Sequence, residues 1–469
     1  FTTYSFAYYK RKGECKMKKG LLTGLLLFGF FFGAGNLIFP PSLGLFSGEY
    51  FGPAIAGFIL SGVGIPIITL VVGATSNGSF KHELESKVHK VFAVAFLAVL
   101  YLSIGPFFAI PRTATVSYSI SIQPFESSLA SMGISSTLSL FIYTVLYFVA
   151  AYWIAIHRST ILNSIGKILT PLFAGLILVL VLLGAIKYAG VAPMQAATAY
   201  QNGGSFGNGF IEGYNTLDAL ASVAFCVVAV NTLKKFHFSS KEEFTKTIIG
   251  VGLVTAVGFS ILYLGLANLG NHFTVPADVL ADETVNKGSY ILTAASKDIF
   301  GVFGQVFLGA MVILTCFTTT VGLIVSTGEF FEELFPKYSY KVYATVFSFI
   351  GFGISNLGLN TVIKFSLPVL LILYPITIIM VILILLNKFV PLSKIGMQLT
   401  VGLTVLVSVL TVLGDTLKLS ALSTMMNQLP FSTLSLGWGV PALVGIVIAL
   451  ILSDKQKGEV FDFEKVLAE

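Results

Sequence analysis

Residues 30–41 read FFFGAGNLIFPP, an apolar segment of helix length that weakens its own middle at Gly33-Ala34-Gly35-Asn36 and then turns apolar again. Each glycine inside a helix costs about 1 kcal/mol relative to alanine, and a backbone N–H or C=O left unpaired in hydrocarbon costs several kcal/mol. Such a break persists only where protein or an enclosed cavity receives the freed groups. There, a half-helix N-terminus can bind a carboxylate and freed carbonyls can bind a cation. The competing reading is close helix packing through small residues; Asn36 and the Pro40-Pro41 pair weigh toward a functional break.

The rest of the chain tells what surrounds the break. Its 469 residues are 55% hydrophobic and 11% charged, with a mean hydropathy of +0.89, far from the balance of a soluble domain. Apolar runs long enough to cross a hydrocarbon core of roughly 30 Å as helices recur throughout. The short alternating segments of a β-barrel are not the pattern. Twelve helical spans are expected, near 20–47, 52–75, 90–119, 137–156, 161–187, 207–232, 243–270, 299–328, 340–357, 361–387, 396–413 and 437–452, with an outer amphipathic helix over about 285–300 as the least certain assignment.

With the N-terminus inside, the inner segments hold 22 of the 28 Lys and Arg, the outer segments five, and Arg112 is left within span three. This positive-inside bias supports twelve spans and cytoplasmic termini. The net charge of +6 is therefore a topology signal and not a nucleic-acid footprint. Cys15, Cys226 and Cys316 imply no disulfide framework. Residues 1–16 lack the apolar run of a signal peptide. Met17-Lys18-Lys19 reads as a natural start, so residues 1–16 are expected to be non-native or upstream-translated.

A second interruption lies five spans later, in FIEGYNTLDALAS, where Gly213, Asn215, Thr216 and Asp218 interrupt span six, which crosses in the opposite direction to span one. Interrupted segments at corresponding places of two inverted halves are the sequence pointer to a secondary transporter's central site. The expected organisation is a first inverted repeat over 17–187, a second over 188–387, two further spans over 388–452 and a cytoplasmic tail over 453–469.

Other polar residues inside spans are functional candidates by default. In span eight, LTCFTTTVGL places Thr315, Thr318 and Thr319 on one helix face, where their oxygens suit a hard cation or simply bond back to their own helix. Asp218 lies ~15 Å into span six, near the midplane, placed to hold an ammonium, a cation or a proton. Glu212 sits shallower. Arg112, in GPFFAIPRTATVSY, lies in the outer third of span three as a gate, an acid partner or a snorkelling side chain. Tyr101, Ile104 and Phe107 of the same span, with Phe108, are candidates to line an apolar pocket, and Tyr214 stands beside Asn215 and Thr216. The five histidines lack metal-ligand spacing, and no Walker A loop, HExxH pair or GxSxG elbow is present. No enzyme is expected, and transport against a gradient needs an ion gradient to drive it.

GAGNLIFPP, GPFFAIPRTATVSY, EGYNTLDALA and CFTTTVGL, in this order on spans one, three, six and eight, resemble the bacterial branched-chain amino acid carrier family, the leucine/isoleucine/valine:cation symporters of the amino acid/polyamine/organocation superfamily. The resemblance runs from about Met17 to residue 452. Family members commonly carry Glu where this chain has Ser119. The resemblance implies an all-α, five-plus-five inverted-repeat (LeuT-type) membrane fold with two extra C-terminal helices. It implies carboxylate-binding amides at Ala34 and Gly35, with Asn36 nearby, and cation-binding carbonyls at Gly29 and Phe32 opposite Thr318 and Thr319. The function it implies is import of Leu, Ile and Val by symport with Na⁺ or H⁺ across the plasma membrane. No other cofactor, no nucleic acid and no obligatory protein partner is expected, and lipid is the surrounding. The alternatives are a cation-coupled carrier of another small neutral amino acid and, less favoured, a passive channel.

Overall fold

Apolar runs cannot leave backbone N–H and C=O groups facing hydrocarbon, so these segments close their hydrogen bonds within themselves as helices. The computed structural model describes residues 32–76, 80–157, 161–234, 240–434 and 436–453, together with Gly24 and Phe238. Residues 1–16, the first half of span one with Gly29, and the tail from residue 454 lie outside the described residues. Among the described residues every regular element is helical. Seven helices are long and apolar enough to cross a membrane, and the shorter apolar helices Pro171–Lys187 and Gly439–Ile451 join them.

Within the described residues, each expected span contains helix. Span one resumes as Ala34–Ser47 and span two runs from Phe51 to Ala74 with a π-helical turn at Leu60–Gly64. Gly48 joins them at φ +49, and a Cβ there would meet the Met194 carbonyl oxygen at 2.5 Å, so only glycine fits. Span three is Lys90–Leu102 and Ala109–Ser121, separated by a π turn in which Gly105 and Pro106 interrupt the helix. Spans four and five are Ser136–Ile156 and Ile161–Lys187; span six is two helices, Ser205–Tyr214 and Asp218–Lys234; span seven is Lys241–His272. Lys287–Leu334 bends at Gly301 (φ 71°), which separates a preceding helix over 287–300 from span eight. The amphipathic segment expected near 285–300 is thus a helix. Tyr340–Ser355, Leu359–Phe389, Lys394–Thr416 and Gly439–Ile451 complete the order.

Two packings position the interrupted spans. The Ala34–Ser47 helix of span one lies along span seven and along Lys287–Leu334, where Gly288 packs against the Ile38 carbonyl, and the first half of span six lies along span two. The second contact is backbone against backbone: a Cβ on Gly209 would lie 2.0 Å from the Ala54 carbonyl oxygen, and one on Gly57 would lie 2.2 Å from that of Phe206. Small residues permit this approach, and dispersion over the whole contact then replaces the missing hydrophobic drive between helices in lipid. Span three packs along span eight, so the PRTA and CFTTTVGL motifs share one seam.

Candidate functional site

The break in span one has a defined geometry. Gly33 is extended (φ −111°, ψ −172°) and a helix starts at Ala34, leaving its first amides without intrahelical acceptors. The Gly33 N–H donates to Asn36 Oδ1 at 3.0 Å, which fixes the amide so that its Nδ2 donates to Asp218 Oδ2 at 2.7 Å. Asn36 Nδ2 also bonds the Tyr263 hydroxyl, and that hydroxyl donates to Asp218 Oδ2 at 3.0 Å. Pro40 and Pro41 lack the N–H groups that would serve the Asn36 and Leu37 carbonyls one turn back.

The break in span six faces it. Tyr214 ends one half-helix, Asp218 begins the next, and Leu217 between them adopts φ +66°, a left-handed conformation costly for a bulky side chain. Arg112, 2% exposed, donates through Nη1 to the Asn215 carbonyl at the end of the first half-helix and through Nη2 to Ser366 Oγ at 2.9 Å. A cation at a helix C-terminus is favoured by the dipole, as is the Asp218 carboxylate at the N-terminus of the second half. The Asn215 side chain donates to Glu212 Oε2 at 3.1 Å, and Thr216 Oγ1 donates to the Gly213 carbonyl at 2.8 Å. The two breaks touch: a Cβ on Gly35 would meet the Asn215 carbonyl oxygen and Thr216 Cα, each at 3.2 Å.

A cavity of about 50 Å³ lies where the breaks meet. Its wall includes Ala34 and Gly35 of span one, Ile104 and Arg112 of span three, Thr216 and Asp218 of span six, and Thr319 of span eight. All four motifs contribute to it. It offers both signs of charge, a half-helix N-terminus and an apolar side, which is the donor set a small zwitterion requires.

Other candidates are placed outside the wall. Asn36 is buried behind it, bonded to Asp218. Tyr101 stacks on Phe330 with ring centroids 4.0 Å apart, and Phe107 is 39% exposed. Of the three only Ile104, inside the π turn Ser103–Phe107, enters the wall; Tyr101 precedes that turn and Phe107 ends it. Tyr214 stacks on Tyr374 at 4.1 Å. Asn215 contributes its carbonyl to Arg112, and Glu212 holds the Asn215 amide.

The threonines divide as well. Thr318 and Thr319 both donate to the Thr315 carbonyl, at 2.9 and 3.0 Å, yet only Thr319 reaches the wall. A hydroxyl that spends its proton this way keeps its lone pairs for a cation. Thr315 Oγ1 is buried with no hydrogen-bond partner. Phe32 is buried with its ring against Phe173 and Phe259. Gly29 lies outside the described residues.

Three participants are not evident from the sequence. Tyr263 of span seven and Ser366 of span ten are single polar residues in apolar runs, each locking one of the buried charges. Thr113, beside Arg112, lines the cavity and bonds Thr320 at 2.5 Å, which in turn bonds Tyr147 at 2.8 Å. A polar residue within an apolar span was the available signal in each case.

Comparison with known proteins agrees with this architecture. The family model described as branched-chain amino acid transport protein matches residues 16–456. A branched-chain amino acid carrier protein of Staphylococcus saprophyticus is 39% identical over 456 residues, covering 95% of this chain and 100% of the relative. A carrier of the same description from Staphylococcus aureus is 38% identical over 441 residues, covering 93% and 96%. Among solved structures, the nucleobase-cation-symport-1 family transporter Mhp1, closed with bromovinylhydantoin bound, superposes with a TM-score of 0.57 at 12% identity, covering 92% of this chain and 91% of its own. MhsT in complex with L-phenylalanine gives 0.52 at 15% identity, covering 91% and 97%. These structures share the LeuT-type fold with this chain. The chain is a multi-pass membrane protein that belongs to the branched-chain amino acid transport protein family.

Proposed function

We propose that this protein imports leucine, isoleucine and valine across the plasma membrane by symport with Na⁺ or H⁺, alternating access about the cavity between the two breaks. The observation that carries the reading is the meeting, around one cavity, of the helix start at Ala34 in span one with the two half-helices of span six that part at Asn215–Asp218. Backbone freed there serves ligands and not lipid. In this reading the Ala34 and Gly35 amides meet the substrate carboxylate, Asp218 meets the ammonium, and Ile104 borders the aliphatic side chain. A pocket of this kind separates side chains differing by one methylene by only about 1–3 kcal/mol, so the three substrates compete.

For the coupling ion, Thr319 at the wall and the unpartnered Thr315 hydroxyl support a cation site on span eight. Hydroxyl and carbonyl oxygens are ligands suited to a hard monovalent cation, and a cation bound near the span-one break raises substrate affinity because both ligands stabilise one arrangement of the break. The charge bias of the loops supports cytoplasmic termini.

Uptake of radiolabelled leucine into proteoliposomes under imposed Na⁺ or H⁺ gradients tests the reading. Accumulation driven by one of the two gradients and inhibited by isoleucine and valine is expected. Uptake indifferent to both gradients rejects symport, and preferential uptake of glycine or lysine rejects the substrate class.

A further inference from the structure

Arg112 is the largest of the side chains buried to within 2% of full enclosure, and it lines the cavity. Its guanidinium has five N–H donors in a fixed fork. The structure engages two of its nitrogens, Nη1 with the Asn215 carbonyl and Nη2 with Ser366 Oγ, both neutral acceptors, while Nε is buried without any partner. Among the described residues it forms no ion pair, including with Asp218 across the same cavity. Glu212 bonds the Asn215 amide and acts on the Arg112 charge from a distance, without a hydrogen bond to it. The Phe39 ring covers the guanidinium at 5.3 Å.

A buried charge without a carboxylate partner is a strongly unfavourable arrangement, and its placement indicates what relieves it. Arg112 and the half-helix N-terminus of span one approach the same group: Nη1 bonds the Asn215 carbonyl oxygen, which a Cβ on Gly35 would also meet at 3.2 Å, and Phe39 lies one turn beyond Gly35. Two positive features therefore meet at one end of the cavity, whereas the carboxylate of Asp218 is held through Oδ2 by Asn36 and Tyr263.

Building on the amino-acid transport reading above, we infer that Arg112 is the anchor for the substrate's α-carboxylate, acting with the span-one amides and not as a gate remote from the substrate. The carboxylate takes guanidinium donors that no protein acceptor uses, and zwitterion binding then neutralises Arg112 and Asp218 together. A cation bearing no carboxylate satisfies only one of the two.

Thermal-stability titrations of the purified full-length protein with L-leucine and with L-leucinamide, whose carboxylate is replaced by a neutral amide, test the assignment. The wild type is expected to prefer leucine by about 100-fold, the range for a desolvated charge pair. In Arg112→Gln that preference collapses to within a few-fold, with the leucinamide midpoint little changed. Equal weakening of both ligands, leaving the preference intact, shows that Arg112 only holds span six and overturns the assignment while leaving the transport reading standing. If Arg112→Gln does not yield a monodisperse protein, Arg112→Lys decides. That variant keeps the charge but loses the fork, so the preference must fall, and a wild-type preference overturns the assignment. Failure of the wild type to bind leucine, isoleucine or valine rejects the transport reading itself, and the anchor with it.

Discussion

The two interruptions solve one problem with different chemistry. Span one breaks at glycines: Gly33 and Gly35 leave backbone bare, and the only side chain needed is Asn36, which receives the Gly33 N–H and reaches across to Asp218. Span six breaks without a glycine at its turn. Leu217 takes a left-handed conformation and two ionisable groups hold the ends, Arg112 on the carbonyl side and Asp218 on the amide side. The first break offers bare amides to a ligand; the second is held open by charges that themselves await partners. Span one is therefore sensitive to added volume, and span six to lost charge.

That contrast can be broken from either side, and charge should matter most. Asp218→Asn keeps the shape and the contact to Tyr263 but removes the carboxylate, so leucine uptake per unit affinity in proteoliposomes should fall by about 30- to 1,000-fold. Uptake within threefold of wild type would remove Asp218 from substrate recognition. On the glycine side, Gly35→Val drives side-chain atoms into the Asn215 carbonyl, which a Cβ alone already approaches at 3.2 Å. Overpacking of this kind destabilises by about 1–3 kcal/mol, seen as a lower melting temperature with little binding left. A variant with wild-type stability and uptake would show that the breaks do not need to touch.

Smaller effects sharpen the comparison. Thr319 reaches the cavity and Thr318 does not, so Thr319→Val should raise the cation concentration for half-maximal uptake by about tenfold and Thr318→Val by much less, each isosteric exchange removing one oxygen worth about 1–2 kcal/mol. Equal shifts, or none, would move the ion site elsewhere. The smallest change expected is from Tyr263→Phe, which deletes one of the two bonds to Asp218 Oδ2. A loss of about 1 kcal/mol corresponds to roughly fivefold weaker leucine binding, and Asn36→Ala, which removes the other bond and the cap of span one, should exceed it. The reverse order would mean that span seven and not span one carries Asp218.

Much of this arrangement is legible in the chain. Glycine, proline and isolated polar residues inside apolar runs mark the breaks because lipid penalises each of them, and Lys and Arg alternate between loops because the membrane sorts them. The helix preceding span eight is legible too, although its junction at Gly301 depends on a left-handed residue. The choice among neighbouring side chains is not. Tyr101, Ile104 and Phe107 are equal candidates by composition. The π turn at Ser103–Phe107 rotates the residues within it relative to Tyr101: Ile104 reaches the cavity, Phe107 is exposed and Tyr101 stacks on Phe330. Local periodicity cannot foresee that rotation, because a π turn shifts the helical phase.

By itself the sequence determined the all-helical membrane class, the span order and the two weak points, since hydropathy, helix propensity and the price of unpaired backbone are properties of the local chain. Only the tertiary structure decided which polar groups meet. Tyr263 and Ser366 lie 45 and 254 residues from the charges they bind, and nothing local distinguishes a tyrosine that completes a buried carboxylate from one that merely packs. Partner choice among buried polar groups is settled by the geometry of helices brought together across the membrane.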